Sequence, residues 1–243
     1  SHIENREIRN KIWLCKKMLA SQNMDELLSL SFINDKIAKE FSKINENLYV
    51  KNPISFELNY MRQNIVPNIL LAIQKNLNRG FENICFFEEG KIFISNTPGD
   101  EEDCITGIRY GYTSQKDVHN SSRPYDIFDV KKDLFDCIKL FGYQTDKLYI
   151  TRETPDYYHP AKSGCTKVGN VVVGYFGELH PEKYKLFDLK EKTNIFELFV
   201  DRLPKMKSRN KAVAFVPNDL QGVKREFAFI VDKDIEVGQI LNC

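Results

Sequence analysis

Closely spaced strand signals are the feature that most restricts how this sequence can fold. Residues 83–87 and 91–95 are both rich in apolar residues, and the dipeptide Glu89-Gly90 between them is typical of a tight turn. Another strand signal follows at residues 104–112. Because parallel neighbours need connections of a dozen or more residues, strands joined by such short segments must run in opposite directions. The sequence therefore predicts an antiparallel sheet.

Further strands are predicted along the chain. β-Branched residues surround Gly169-Asn170, which indicates a second hairpin, and the glycine-first order indicates a turn type other than that of Asn-Gly. The stretch 171–203 predicts a strand, a helix that starts at His180-Pro181, and a second strand from residue 194. Two shorter strand signals lie at residues 26–33 and 148–152.

Helical periodicity predicts the elements that cover this sheet. Ile8, Ile12 and Cys15 recur at helical spacing, as in an amphipathic helix with one packed side. Another predicted helix has Pro67 before its first residue and Gly80 after its last, the usual placement of proline and glycine at helix ends. The predicted helices span residues 4–20, 35–41, 68–79 and 125–141. Strands and helices in this mixed order indicate an α+β fold.

The C-terminal part of the sequence differs in character from the rest. Residues 204–220 begin with a polar, basic stretch and predict a linker. Residues 225–232 then predict a strand, and residues 235–241 the first turns of a helix. A piece of this size cannot build a core of its own. We therefore expect one large domain over residues 1–203 and the truncated start of another over residues 221–243.

Composition excludes several classes of protein. The 243 residues are 42% hydrophobic and 28% charged, which fits a folded domain with a core. No apolar run of about 18 residues and no signal-peptide core is present, so we expect no membrane contact and a cytoplasmic location. With 35 basic and 34 acidic residues, any contact with RNA must be a local patch. The six cysteines never fall in Cys-x-x-Cys spacing, which argues against a zinc site or a redox motif.

Six separate blocks of the sequence carry a resemblance to a known family. They lie at residues 52–80, 86–93, 125–142, 159–164, 177–182 and 221–241, and include the texts FFEEGKIF, HPAKSG and GELHPE. In this order they resemble the beta subunit of bacterial phenylalanine-tRNA synthetase. The resemblance implies a class II synthetase fold for residues 1–203, an antiparallel sheet flanked by helices. It also implies that residues 221–243 begin a ferredoxin-like anticodon-binding domain.

The resemblance implies where ATP would bind if this module were catalytic. The second signature motif of class II synthetases places an arginine on a strand, where it holds the α-phosphate in the transition state. In the matching text GKIFI, Ile94 stands where that arginine should be. An alkyl side chain offers a phosphate neither charge nor a hydrogen bond, so we expect this position to be inactive.

The third motif of the class is also altered. Glu197 and Phe199 stand where the family pattern has glycines, and Arg202 alone keeps the family residue. The larger side chains would fill the volume that a nucleotide needs, and the acid would repel its phosphates. Arg202 is open to two interpretations, a relic of the nucleotide site or a surface salt-bridge residue.

No catalytic, cofactor-binding or metal-binding residue is predicted elsewhere. His159 and His180 each precede a proline, which fits a turn or a helix start, and there is no His-Glu-x-x-His spacing. The text GCTKVG has glycines at phosphate-loop spacing, but Asn170 stands where that motif requires lysine. Ser163 lacks the glycine that a nucleophile elbow needs two residues earlier.

Four cations in the predicted linker could contact the tRNA backbone, or could serve only to keep the segment soluble. They are Lys205, Lys207, Arg209 and Lys211. Their alternate spacing would present charge at intervals that phosphates can match.

The resemblance favours a non-catalytic scaffold within a heteromeric ligase. In this family the alpha subunit joins phenylalanine to tRNA, so the expected partners are the catalytic alpha subunit and, in the full complex, tRNA. The full enzyme would use ATP and Mg²⁺, with no cofactor in this segment. The helices predicted at residues 4–20 and 68–79 are the candidate contact surfaces. Two alternatives stay open: a stand-alone synthetase-related tRNA-binding or interaction protein, and a self-sufficient ATP-dependent amino-acid-activating enzyme.

Overall fold

The structure is a computed structural model that describes residues 2–114, 122–204, 225–228, 230–232, 235 and 240. The chain divides into two compact units, Ser1–Met206 and Lys207–Cys243. The first unit contains all the strands described below. The predicted division into residues 1–203, a linker over 204–220 and a further domain over 221–243 stays a prediction, because most of residues 204–243 lie outside the described ranges.

A seven-stranded sheet forms the centre of the first unit, in the order β1-β4-β5-β9-β8-β7-β6. The strands are β1 (Asp25–Glu26), β2 (Phe32–Ile33), β3 (Tyr60–Met61), β4 (Ile84–Phe93), β5 (Glu101–Tyr110), β6 (Tyr149–Thr151), β7 (Tyr158–Val168), β8 (Val171–Leu179) and β9 (Thr193–Phe199). All pairs in the sheet are antiparallel except β1 with β4. Strands β2 and β3 form a separate antiparallel pair. The predicted α+β architecture with an antiparallel sheet is confirmed.

Helices cover both faces of this sheet. They are α1 (His2–Ser21), α2 (Asp35–Ala38), α3 (Val66–Leu77), α4 (Ile127–Leu140) and α5 (Pro181–Tyr184). One face, which we call the α3 face, packs against α3, and the opposite face packs against α1 and α4. The four helices predicted from periodicity are confirmed, each with its ends shifted by a few residues. His180 caps α5, because its Nδ1 accepts a hydrogen bond from the backbone of Glu182 at 3.3 Å.

The hairpin predicted at Glu89-Gly90 is wrong. β4 runs without interruption through both residues and pairs with β5 along its whole length, so the chain reverses between residues 93 and 101 instead. Gly90 has a different reason for being a glycine. The guanidinium group of Arg62 lies against its Cα, and a Cβ at this position would overlap Nη2.

The second predicted hairpin is confirmed. β7 and β8 are joined by Gly169 and Asn170, with Val168 paired to Val171. Gly169 has φ +60°, whereas Asn170 does not have a positive φ. A positive φ at the first central residue alone is the pattern of a type II′ turn, in agreement with the glycine-first order.

Two predicted strands are shorter than the sequence indicated. The stretch 26–33 contains the last residue of β1 and both residues of β2, and residues 27–31 between them are not in a strand. The strand predicted from residue 194 to residue 203 ends at Phe199, and a 3-10 turn follows over Val200–Arg202. The strand predicted at residues 225–232 is wrong for the described part of that stretch, because the described residues there are not in a strand.

An ion pair buried beneath α4 joins this helix to the sheet. Arg109 on β5 donates to Asp133 from Nε at 2.6 Å and from Nη2 at 3.0 Å. The two side chains are only 6% and 2% exposed. Arg109 also donates to the carbonyl oxygen of Gln22, just after α1, at 3.3 Å. One guanidinium group therefore ties the sheet to both helices of this face.

We expect Arg109→Met to lower the free energy of unfolding by about 3–5 kcal/mol, because it leaves the Asp133 carboxylate buried without its partner. Arg109→Met combined with Asp133→Leu should lose much less, since no unpaired charge remains. Lys139→Met on the same helix breaks an exposed pair with Asp136 and should change stability by less than about 1 kcal/mol. Urea unfolding of the three variants tests this. Equal losses in the single and double variants would contradict it.

Candidate functional site

The centre of the α3 face holds the acid that the sequence analysis placed in the third class II motif. Glu197 lies on β9, paired with Thr106 of β5 and Tyr175 of β8, and is 0% exposed. The hydroxyl groups of Tyr157 and Tyr158 both donate to its Oε1, at 2.7 and 2.9 Å. Both tyrosines are buried at the start of β7. The carboxyl group is therefore enclosed by the chain's own side chains.

Burial sets the protonation of this cluster. Removal from water raises the pKa of Glu197, although the hydrogen bonds from the two tyrosines lower it in part. Burial, and then the neighbouring Glu197, raise the pKa of Tyr157 and Tyr158, so that both keep the protons they donate. Burial likewise raises the pKa of the Cys104 thiol. Glu197 Oε2 has no hydrogen-bond partner among the described residues. These are the properties of a site that is closed to water.

Phe199 and Arg202 lie beside Glu197 and interact with each other. Phe199 is 5% exposed, and its ring packs edge-on against Tyr175 with 5.6 Å between centroids. The Arg202 guanidinium lies 3.9 Å from the centroid of the Phe199 ring. It also forms an ion pair with Glu102, with Nη2 at 2.7 Å from Oε2. Of the two interpretations given to Arg202, the geometry is that of a salt-bridge residue.

Ile94 lies apart from the other three predicted positions. It follows Phe93, the last residue of β4, and its side chain is 50% exposed. Its backbone N–H donates to the carbonyl oxygen of Asp100 at 3.1 Å, in the connection to β5. The β4 residue in the same row as Phe199 is Gly90, which is about 13 Å from Ile94 along the strand. That Ile94 stands in place of the class II arginine stays a prediction.

Sequence reasoning missed a second buried acid on the same face. Glu88 of β4 pairs with Thr106, so it lies in the same cross-strand row as Glu197. It receives a hydrogen bond of 2.6 Å from Arg62, and the two side chains are 2% and 3% exposed. Arg62 Nη1 also donates to Ser29 Oγ at 2.9 Å. The sequence signal that could have predicted this buried acid is the pair of acidic residues inside the apolar text FFEEGKIF. Their partners come from distant parts of the chain and could not be predicted from it.

Among the described residues, the remaining predicted features do not assemble into a further site. His159 Nδ1 accepts a hydrogen bond from the backbone of Ala161 at 3.1 Å, which is a local turn interaction. Lys205, Lys207, Arg209 and Lys211 lie outside the described residues. Within the described ranges, no group of three His, Cys, Asp or Glu side chains could hold a metal ion. Among the same residues, no helix has the length and apolar character needed to cross a membrane.

A cleft of about 880 Å³ opens near the end of β5, away from Glu197. Phe81, Tyr112 and Glu191 are among the residues that line it. Neither Ile94 nor any of the three third-motif residues contributes to its lining. The cleft and the predicted nucleotide position are therefore different places.

The buried acid should make stability depend on pH. Because the folded state raises the pKa of Glu197 above its ordinary value of 4.5, folding favours the protonated form. Its contribution is therefore fully present below pH 4.5 and is lost as the pH rises through the folded value. Glu197→Gln removes the titration, so we expect the variant to gain stability relative to the unchanged protein as the pH rises from 5 to 8.

Urea unfolding at both pH values measures this difference. Glu182→Gln, at a side chain that is 83% exposed, is the matched control and should show no such gain. A pH dependence that is the same in Glu197→Gln and in the unchanged protein would contradict the assignment.

Comparison with known proteins relates this arrangement to one family. The family described as the phenylalanyl tRNA synthetase beta chain CLM domain matches residues 2–200. The phenylalanine–tRNA ligase beta subunit of Rickettsia bellii is 40% identical over 230 residues, which cover 93% of this chain and 26% of that protein. The beta subunit of Rickettsia prowazekii is 37% identical over 230 residues, which cover 93% of this chain and 28% of that protein. The chain thus spans a little over a quarter of the length of these relatives.

Solved structures support the same fold. A pyrrolysyl tRNA synthetase from Desulfitobacterium hafniense superposes with a TM-score of 0.56 over 81% of this chain and 66% of that one, at 15% identity. A second structure of that enzyme gives the same TM-score at 14% identity. Such low identity shows the fold alone, and the fold is that of a class II synthetase. Together with the match over residues 2–200, it follows that the chain belongs to the phenylalanyl tRNA synthetase beta chain CLM domain family.

Proposed function

We propose that this chain is a non-catalytic scaffold domain of a phenylalanine–tRNA ligase, which packs against the catalytic alpha subunit and supports aminoacylation of tRNA with phenylalanine. The observation that carries the proposal is the enclosed Glu197, held by Tyr157 and Tyr158, and the resemblance assigns this residue to the third class II motif. The relatives are named phenylalanine–tRNA ligase beta subunit, which supports a role in that ligase and a place in the cytoplasm.

Charge supports the same conclusion. The phosphates of ATP need cations, and a buried site must supply them because water is excluded. The Arg62 guanidinium is matched by Glu88, and that of Arg202 by Glu102. A phosphate that approached either arginine would have to displace a carboxylate that is already bound. We therefore place ATP and Mg²⁺ in the catalytic subunit and not in this domain.

The outer side of α1 is our candidate surface for the alpha subunit. Trp13 is 56% exposed and Leu14 43% exposed, while Ile12 and Cys15 of the same helix are buried in the core. Two large apolar side chains side by side on a helix surface favour a protein contact. For the other predicted contact helix, α3, the apolar residues are mostly buried against the sheet, so we favour α1.

Contact with tRNA is proposed from sequence alone. The four cations Lys205, Lys207, Arg209 and Lys211 follow the described part of the first unit. Neutralising phosphates with such cations would make any tRNA affinity fall steeply with salt.

We expect tight binding of the purified chain to the alpha subunit in isothermal titration calorimetry, and no heat change on addition of ATP, Mg²⁺ and phenylalanine. Trp13→Asp with Leu14→Asp should weaken the association about tenfold or more, because it places charge in an apolar contact. Lys139→Asp, on an exposed part of α4, is the control and should have little effect. Adenylate formation by the chain alone would favour the self-sufficient enzyme. Tight tRNA binding without the alpha subunit would favour the stand-alone RNA-binding protein.

Restoring the missing arginine should not restore catalysis. We expect Ile94→Arg to form no adenylate from phenylalanine and ATP, because Glu197 and Phe199 still occupy the centre of the α3 face and Ile94 lies at its margin. Pyrophosphate exchange by the isolated variant is the measurement, with the unchanged chain as control. Measurable exchange would show that the filled centre does not exclude the nucleotide.

A further inference from the structure

The segment 27–31, between β1 and β2, faces the opposite way from its sequence pattern. In LLSLS, alternation of apolar and polar residues predicts that Leu28 and Leu30 lie inward and that Ser29 lies outward. The structure has the reverse arrangement. Leu28 is 81% exposed and Leu30 is 59% exposed, while Ser29 points to the interior. Apolar burial alone would not produce this orientation, so another interaction must fix it.

A buried polar cluster holds Ser29 inward. Its hydroxyl group donates to the carboxylate of Glu88, with Oε2 at 2.8 Å and Oε1 at 3.0 Å. The same oxygen accepts a hydrogen bond from Arg62 Nη1 at 2.9 Å, and Arg62 Nη1 also donates to Glu88 at 2.6 Å. Each of the three side chains therefore contacts the other two. The Arg62 Nε donates further, to the carbonyl oxygen of Lys91 at 2.9 Å, which fixes the cluster on β4.

Backbone hydrogen bonds fix both ends of the segment 27–31. Leu27 N–H donates to the carbonyl oxygen of Phe87 at 2.7 Å, and Arg62 N–H donates to that of Ser31 at 3.0 Å. The carbonyl oxygen of Leu30 accepts from Asn68 Nδ2 at 3.2 Å. The segment thus lies beside β4 with little freedom to move along it. A shift by one residue would bring a leucine, instead of Ser29, against Glu88.

We propose that Ser29, Glu88 and Arg62 form a register lock, a conformational device that selects the orientation of residues 27–31 and keeps Leu28 and Leu30 on the outside. Burial of Leu28 and Leu30 favours the shifted register, although that register would turn Leu27 away from the core. The shifted register also loses one hydrogen bond to the buried carboxylate and one from the buried guanidinium, and hydrogen bonds to charged groups stabilise more than neutral ones. The lock does not depend on the proposed ligase role, since its parts lie within one folded unit.

Thiol labelling of the full chain can test the lock. Leu30→Cys introduces a reporter on the outward side, and mass spectrometry of the labelled peptide separates it from the native cysteines. We expect Ser29→Ala to slow labelling of this reporter about tenfold or more, because residue 30 then turns inward for much of the time. Ser31→Ala is the matched control, a serine two residues away that is not part of the cluster, and should leave the labelling rate unchanged.

Two further variants complete the test. Ser29→Thr keeps the hydroxyl group and should restore the fast labelling rate, which a general loosening of the fold would not do. If Ser29→Ala fails to fold, Glu88→Gln carries the same expectation, because the amide nitrogen that replaces one carboxylate oxygen cannot accept the 2.8 Å hydrogen bond that Ser29 donates to Oε2. Labelling that is equally fast in folded Ser29→Ala or Glu88→Gln and in the Ser31→Ala control would overturn the proposal.

Discussion

Burial of β9 on both faces is the constraint on which the rest of this structure depends. All seven residues of the strand are buried, so neither side can use water to satisfy a polar group. Each polar side chain on it must find a partner within the protein. Asn194 donates to the carbonyl oxygen of Tyr125, and Glu197 receives the two tyrosine hydroxyls. The segments that carry these partners, before α4 and at the start of β7, are thereby fixed against the sheet.

The sequence predicted the elements well because most of them follow from local rules. Helical periodicity and the Gly169-Asn170 turn act over a few residues, and both were found as expected. The prediction of a turn at Glu89-Gly90 failed because the reason for the glycine is not local. Gly90 is set by the approach of Arg62, which is 28 positions earlier in the chain and reaches β4 only in the folded protein. A glycine inside a strand signals a turn and a close contact equally well.

The sequence identified Glu197 and Phe199 as residues of interest, and their replacement of family glycines stays a prediction. The sequence did not predict that Tyr157 and Tyr158 enclose Glu197, because those residues reach β9 through the pairing of β7 with β8 and of β8 with β9. The separation of Ile94 from Glu197, Phe199 and Arg202 could not be predicted for the same reason. Cross-strand register, which decides neighbours in a sheet, cannot be read from one strand alone.

The filled face also explains why single changes should not recover a nucleotide site. Two ion pairs near the centre are already formed, Glu88 with Arg62 and Arg202 with Glu102. Removing Arg62 or Glu88 leaves its partner buried without a counter-charge, so this step towards a cavity lowers stability before any ligand can bind. Groups that share partners in this way respond to mutation as a unit and not additively. A domain of this kind keeps its shape more securely than a catalytic site, which must leave polar groups free for its substrate, and this agrees with the scaffold role that we propose.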